Sequence, residues 1–140
     1  MFKFSNRSID SLKGVHPRLT ILMGVALQDS PVDFTITDGV RTTEQQQKLY
    51  AQGRSAPGPI VTNLKGVGNE LSKHQIQADG QGHAVDLYPY VNGKIQTDDK
   101  KNLRTIADHI KATAKRLGYN ITWGGDWTNP VDMPHFELKI

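Results

Sequence analysis

The chain contains no cysteine. That excludes a disulfide framework and any thiolate metal site, so a metal here would have to be held by histidine, aspartate or glutamate. No apolar run approaches the ~20 residues needed to span a bilayer. The opening Met1-Phe2-Lys3-Phe4-Ser5-Asn6-Arg7 also lacks the continuous apolar stretch of a secretory signal. The expectation is a protein made in the cytoplasm with no transmembrane segment and no export signal of its own. Internal repeats and low-complexity tracts are absent as well, which excludes solenoids and repeat arrays. The net charge of +3 and pI of about 9.2 would suit a polyanionic partner. Yet Lys and Arg are scattered, and there is no RNP-like aromatic motif, finger spacing or clustered basic helix, which argues against nucleic acid.

What is present fits one domain, residues 1–140, long enough to bury a core without staples. The apolar positions Leu19, Leu22, Met23, Ala26 and Leu27 predict a helix from Pro17 to about Ser30. Phe34 and Ile36, alternating with threonines, predict a strand over Asp33 to Thr37. Thr42 or Thr43 can cap a second helix, with Glu44 close behind, Leu49-Tyr50 on its apolar side and Gly53 as its stop. Residues 54 to about 73 hold no period and read as a long loop.

Ala84, Val85, Leu87 and Tyr88 read as a strand that turns at Asn92-Gly93, a type I′ hairpin signal. Asp98 or Asp99 caps a third helix whose Leu103, Ile106, Ala107, Ile110 and Ala114 repeat at three and four and whose end is Lys115, Arg116 and Gly118. Ile121–Trp123 and His135–Leu138 read as two last strands. The class is therefore α+β, with about three helices flanking a small, mostly antiparallel sheet.

Of the five histidines, His16 sits in a turn entering a helix and His109 on a charged helix face, and both read as boundary or surface residues. The other three lie in two segments, Ser72 to Asp86 and Asp132 to Leu138. Asp86 stands inside the apolar run Ala-Val-Asp-Leu, where an unpaired carboxylate is costly to bury and a cation would relieve the cost. His135 and Glu137 alternate onto one face of the last strand, so Glu137 can orient an imidazole, act as a base, or be an ordinary strand carboxylate.

Five motifs occur in order: Gly39-Val40-Arg41-Thr42, Ser72-Lys73-His74, Gly82-His83-Ala84-Val85-Asp86, Trp123-Gly124-Gly125-Asp126-Trp127, and Asp132 to Leu138. In this the chain resembles the D-Ala-D-Ala carboxypeptidase/dipeptidase branch of the LAS zinc metallopeptidases, and within it the phage L-alanyl-D-glutamate endolysins. The resemblance implies a hedgehog/DD-peptidase-like fold and one zinc ion on His74, Asp86 and His135. It also implies Asp132 as general base and Arg41 as the cation at the substrate carbonyl, where lost donors typically cost ~3 kcal/mol.

One departure is visible. The family pattern places seven positions between the ligand histidine and the aspartate, whereas His74 to Asp86 is twelve. Strict spacing would select Asp79 in place of His74. The local Ser72-Lys73-His74 pattern favours His74, with the extra residues around Gln77 to Gln81 absorbed by a loop and Asp79 as a turn residue. His83 can support a ligand or be a strand histidine. Trp123, Trp127, Tyr88 and Tyr90 wall the cleft or belong to core and rim, and Asp126 is equally open.

The implied substrate is the peptidoglycan stem peptide, cut at L-Ala-D-Glu. The alternatives are a D-Ala-D-Ala carboxypeptidase or dipeptidase and a non-catalytic, zinc-stabilised wall-binding module. The implied setting is a monomeric endolysin that is held in the host cytoplasm, released through a holin and active in the cell wall or periplasm.

Overall fold

The computed structural model describes residues 1–140. Four α-helices and five strands follow in the order α1 (Asn6–Ser11), α2 (Pro17–Gln28), β1 (Phe34–Asp38), α3 (Thr43–Ala51), β2 (Ala84–Val91), β3 (Lys94–Ile95), α4 (Lys100–Leu117), β4 (Ile121–Trp123) and β5 (His135–Leu138). A 3-10 turn, Gly124–Asp126, follows β4. No helix is long and apolar enough to cross a membrane.

The strands form one antiparallel sheet ordered β1-β2-β5-β4, with β3 paired to the far end of β2. Successive side chains of a strand point to opposite faces, and here the two faces differ completely in chemistry. Val85 and Leu87 of β2 and Phe136 and Leu138 of β5 are buried in apolar surroundings. Asp86 and Tyr88, His135 and Glu137 take the other face. Helices α2 and α4 cover the apolar face with Leu19, Leu22, Met23, Ile106 and Ile110, all fully buried. The polar face is left for the long segment between α3 and β2.

Helix ends follow side-chain chemistry. Thr42 accepts from the Gln45 N–H while the Gln45 side chain accepts from the Thr42 N–H, a reciprocal cap that fixes where α3 starts. Gln45, and not Glu44, completes it. Asp99 caps α4, and Gly118 ends it in the left-handed conformation. Asn92 and Gly93 both adopt positive φ, as the hairpin turn requires.

Two features differ from the sequence expectation. The helix α1 has only six residues, capped by Ser5, which is too short for a hydrophobic period to register. Its Ser8 is buried and accepts from the Ile36 N–H, tying the helix to β1. In α3 the fully buried side chain is Gln46, while Leu49 and Tyr50 remain half-exposed. Hydrophobic periodicity cannot mark a buried amide.

Candidate active site

The pairing of β2 with β5 sets Asp86 directly opposite His135. His74 arrives from the long segment, where the Ser72 hydroxyl accepts its N–H and its carbonyl accepts from the Arg41 N–H at 2.8 Å. Three atoms meet: His74 Nε2 lies 3.2 Å from Asp86 Oδ1 and 3.2 Å from His135 Nδ1, and the last two are 3.5 Å apart. All three side chains are largely shielded from solvent.

Hydrogen bonds on the far sides of the rings fix the tautomers. His74 Nδ1–H donates to the Gly39 carbonyl at 2.9 Å, so Nε2 presents a lone pair. His135 Nε2–H donates to Glu137 Oε1 at 2.7 Å, so Nδ1 does the same. Glu137 reaches the imidazole because both residues lie on one face of β5. Gly39 approaches so closely that a Cβ there would fall 1.7 Å from the Ser11 carbonyl oxygen. Only glycine lets this carbonyl back the ring.

These lone pairs converge with a carboxylate, an arrangement that repels itself unless a cation sits among them. Asp86 Oδ1 is buried and has no hydrogen-bond partner, a costly state for an anionic oxygen. Burial pushes the Asp86 carboxyl up, but the two imidazoles more than offset it and hold it well below the usual carboxylate range. Burial likewise pulls His135 down, while Asp86 and Glu137 outweigh it and raise it to about 9, so a proton takes the inward Nδ1 wherever no other cation does. The pocket thus seeks positive charge. Tetrahedral zinc with bonds of ~2.0–2.1 Å sets its ligand atoms ~3.3 Å apart. The observed separations and the two-imidazole, one-carboxylate donor set fit such an ion, and these three residues can hold a metal.

The cluster lies in a cleft of about 470 Å³ lined also by Arg41, Tyr88, Trp127, Asp132 and Glu137. Trp127 tilts over His135 with ring centroids 5.1 Å apart. Asp132 Oδ2 lies 3.9 Å from His135 Nδ1 and the side chain is 43% exposed, so it meets both the cluster and solvent. Partial burial and the Asp86 charge push its carboxyl above the usual range. Its backbone is pinned by Gly124, whose carbonyl accepts the Asp132 N–H at 2.9 Å. A Cβ on Gly124 would fall 2.3 Å from the Asp132 carbonyl oxygen, which explains the glycine after Trp123.

Other residues singled out from the sequence lie elsewhere. Asp79 and His83 form a separate cluster, with His83 Nε2 donating to Asp79 Oδ2 at 2.7 Å and His16 Nε2 lying 4.0 Å from the same oxygen, beyond hydrogen-bond range. The extra residues fold as a turn in which Asp79 also accepts from the Gln81 N–H, which places Asp79 away from Asp86 and His135. Trp123 is a core residue, because its register partner is Phe136 on the apolar face, and its Nε1–H donates to the Met133 carbonyl. Asp126 pairs with Lys111 of α4 at 2.7 Å, outside the cleft, and Tyr90 is exposed beyond it. Sequence reasoning missed Gly39 as an acceptor, although it lies in the Gly39-Val40-Arg41 motif, and it missed Gln46, for which hydropathy carries no signal.

Comparison with known proteins gives a consistent picture. Residues 1–138 match the family described as phage L-alanyl-D-glutamate peptidase. The chain is 35% identical over 138 residues to the L-alanyl-D-glutamate peptidase of Escherichia phage T5, covering 99% of this chain and 90% of that one. It is 31% identical over 113 residues to the peptidoglycan L-alanyl-D-glutamate endopeptidase CwlK of Bacillus subtilis, covering 81% and 65%. Among solved structures, the Serratia marcescens L-Ala D-Glu endopeptidase ChiX superposes with a TM-score of 0.73 at 28% identity, covering 99% of this chain and 90% of that one.

Proposed function

Since the chain belongs to the phage L-alanyl-D-glutamate peptidase family, we propose that it is a zinc-dependent peptidoglycan hydrolase that cuts the stem peptide between L-Ala and D-Glu. The observation that carries this reading is the meeting of His74 Nε2, Asp86 Oδ1 and His135 Nδ1 at 3.2–3.5 Å in a cleft, with the Asp86 oxygen otherwise unpartnered. His74, Asp86 and His135 would hold the ion. When bound, zinc with an open position supplies Lewis acidity and lowers the pKa of a water from ~15.7 toward ~7.

The remaining work falls to the protein's own side chains. Asp132 Oδ2, facing both the cluster and solvent, takes the proton of the attacking water and passes it to the departing amine. Its upward-shifted carboxyl suits a group that must hold that proton between the two transfers. Arg41 offers positive charge where the carbonyl oxygen becomes anionic. Gly39 and Glu137 keep each imidazole in the tautomer that faces Asp86, and Trp127 and Tyr88 give the peptide apolar walls. The same reading makes the protein a monomeric endolysin that reaches the wall through a holin.

Digestion of purified peptidoglycan followed by mass analysis of the new termini tests the reaction. A freed amino terminus on D-Glu is expected. Release of a single D-Ala would instead assign a carboxypeptidase, and an undigested wall with zinc bound would assign a binding module.

A further inference from the structure

We infer that Gln46 is a positioning residue that sets the Arg41 guanidinium in the cleft, an inference that rests on the role proposed for Arg41. Gln46 is the one buried residue of α3 and is fully shielded from solvent. Its Oε1 accepts from Arg41 Nη1 at 2.7 Å. Its Nε2 donates to the Leu64 carbonyl at 2.8 Å and to Thr62 Oγ1 at 3.2 Å, and both of those residues line the cleft. The amide therefore ties the cation to the 62–64 segment of the cleft lining.

The geometry assigns a purpose to the amide that packing alone would not require. The capping box fixes the first turn of α3, and so the place of Gln46 relative to Thr42. The Arg41 backbone is anchored separately, through its N–H to the His74 carbonyl. Arg41 is thus held at two points, one on the candidate ligand and one on α3. A long, flexible cation that must meet charge developing in a reaction gains from such a hold, because it does not reorganise as the charge appears. The bond uses one of five guanidinium N–H donors and leaves the others free for a substrate oxygen. An aliphatic side chain of the same size would fill the space and leave the guanidinium without this anchor.

The test measures kcat and KM on a soluble stem-peptide fragment for Gln46→Met, Arg41→Ala and the double variant Arg41→Ala/Gln46→Met, each loaded with zinc and checked by thermal melting. Gln46→Met should lower kcat about tenfold and leave KM within about twofold, the pattern of an interaction used in the transition state. In the Arg41→Ala background Gln46→Met should cost less than about twofold, since a residue acting through Arg41 has nothing left to position.

Should Gln46→Met fail to fold, Gln46→Asn, one methylene shorter but still an amide, should show the same fall in kcat. Wild-type kcat in Gln46→Met or Gln46→Asn, or multiplying losses in the double variant, would overturn the inference. If Arg41→Ala itself turns over normally, both the inference and the role proposed for Arg41 fall. If Arg41→Ala is slow and Gln46→Met is not, only the inference does.

Discussion

The molecule contains two clusters of two histidines and one aspartate, and they differ in what their atoms do. At His74, Asp86 and His135 the imidazoles spend their N–H groups outward, on Gly39 and Glu137, and turn lone pairs inward on an oxygen with no hydrogen bond. At His16, Asp79 and His83 the bonding runs the other way. His83 donates to Asp79, and His16 Nδ1 is occupied in accepting the Arg18 N–H at the start of α2. Asp79 further accepts from Gln81, and its carboxyl is held below the usual range chiefly by the His83 bond. The Asp79 carboxylate is satisfied as it stands. Residue types alone therefore do not mark a candidate metal centre; converging, uncompensated lone pairs do.

The contrast breaks most visibly by mutation. Asp86→Ala should abolish zinc binding and reduce wall digestion by at least ~10³-fold, since it removes a ligand and with it the Lewis acid. Asp79→Ala should leave zinc stoichiometry and turnover at wild-type levels. Metal analysis and turbidity clearing on the same preparations compare the two, and equal losses would erase the distinction.

Asp132→Ala should lower kcat by ~10²–10⁴-fold while zinc content and melting stay as in wild type, because a proton carrier is lost and no ligand is. Assays at saturating substrate with metal analysis separate these effects, and undiminished lysis would remove Asp132 from the mechanism. Glu137→Gln sharpens the comparison further. It weakens the acceptor that fixes the His135 tautomer and should lower zinc affinity ~10–100-fold, measured by competition with a chromogenic chelator. The smallest effect belongs to His83→Ala, whose expected consequence is a looser turn at residues 77–82 with unchanged zinc affinity, visible as faster hydrogen exchange confined to that segment.

How much of this was legible in the sequence depended on whether a residue's neighbours carried a period or a motif. Helix α4 was readable because five apolar residues repeat at three and four between an acidic cap and a glycine. The strand faces are readable too, because alternation alone puts His135 and Glu137 on one side of β5. His74, Asp86 and His135 stand in ordered motifs, and the structure brings them together across a gap that motif spacing describes poorly, because the extra residues fold as a turn beside His16, the N-cap of α2. Trp123 and Trp127 were indistinguishable in sequence. One is the last residue of β4 and shares register with the core, the other follows the 3-10 turn and enters the cleft. Gln46 was invisible, since its burial is explained only by Arg41 and by a loop without period.

The proposed hydrolysis requires one cation bound by three side chains. Anomalous diffraction at the zinc edge from zinc-loaded crystals tests this most directly. A single strong peak ~2.0–2.2 Å from His74 Nε2, Asp86 Oδ1 and His135 Nδ1 is predicted. A peak at His16, Asp79 and His83 instead, or none at the cleft, would contradict it.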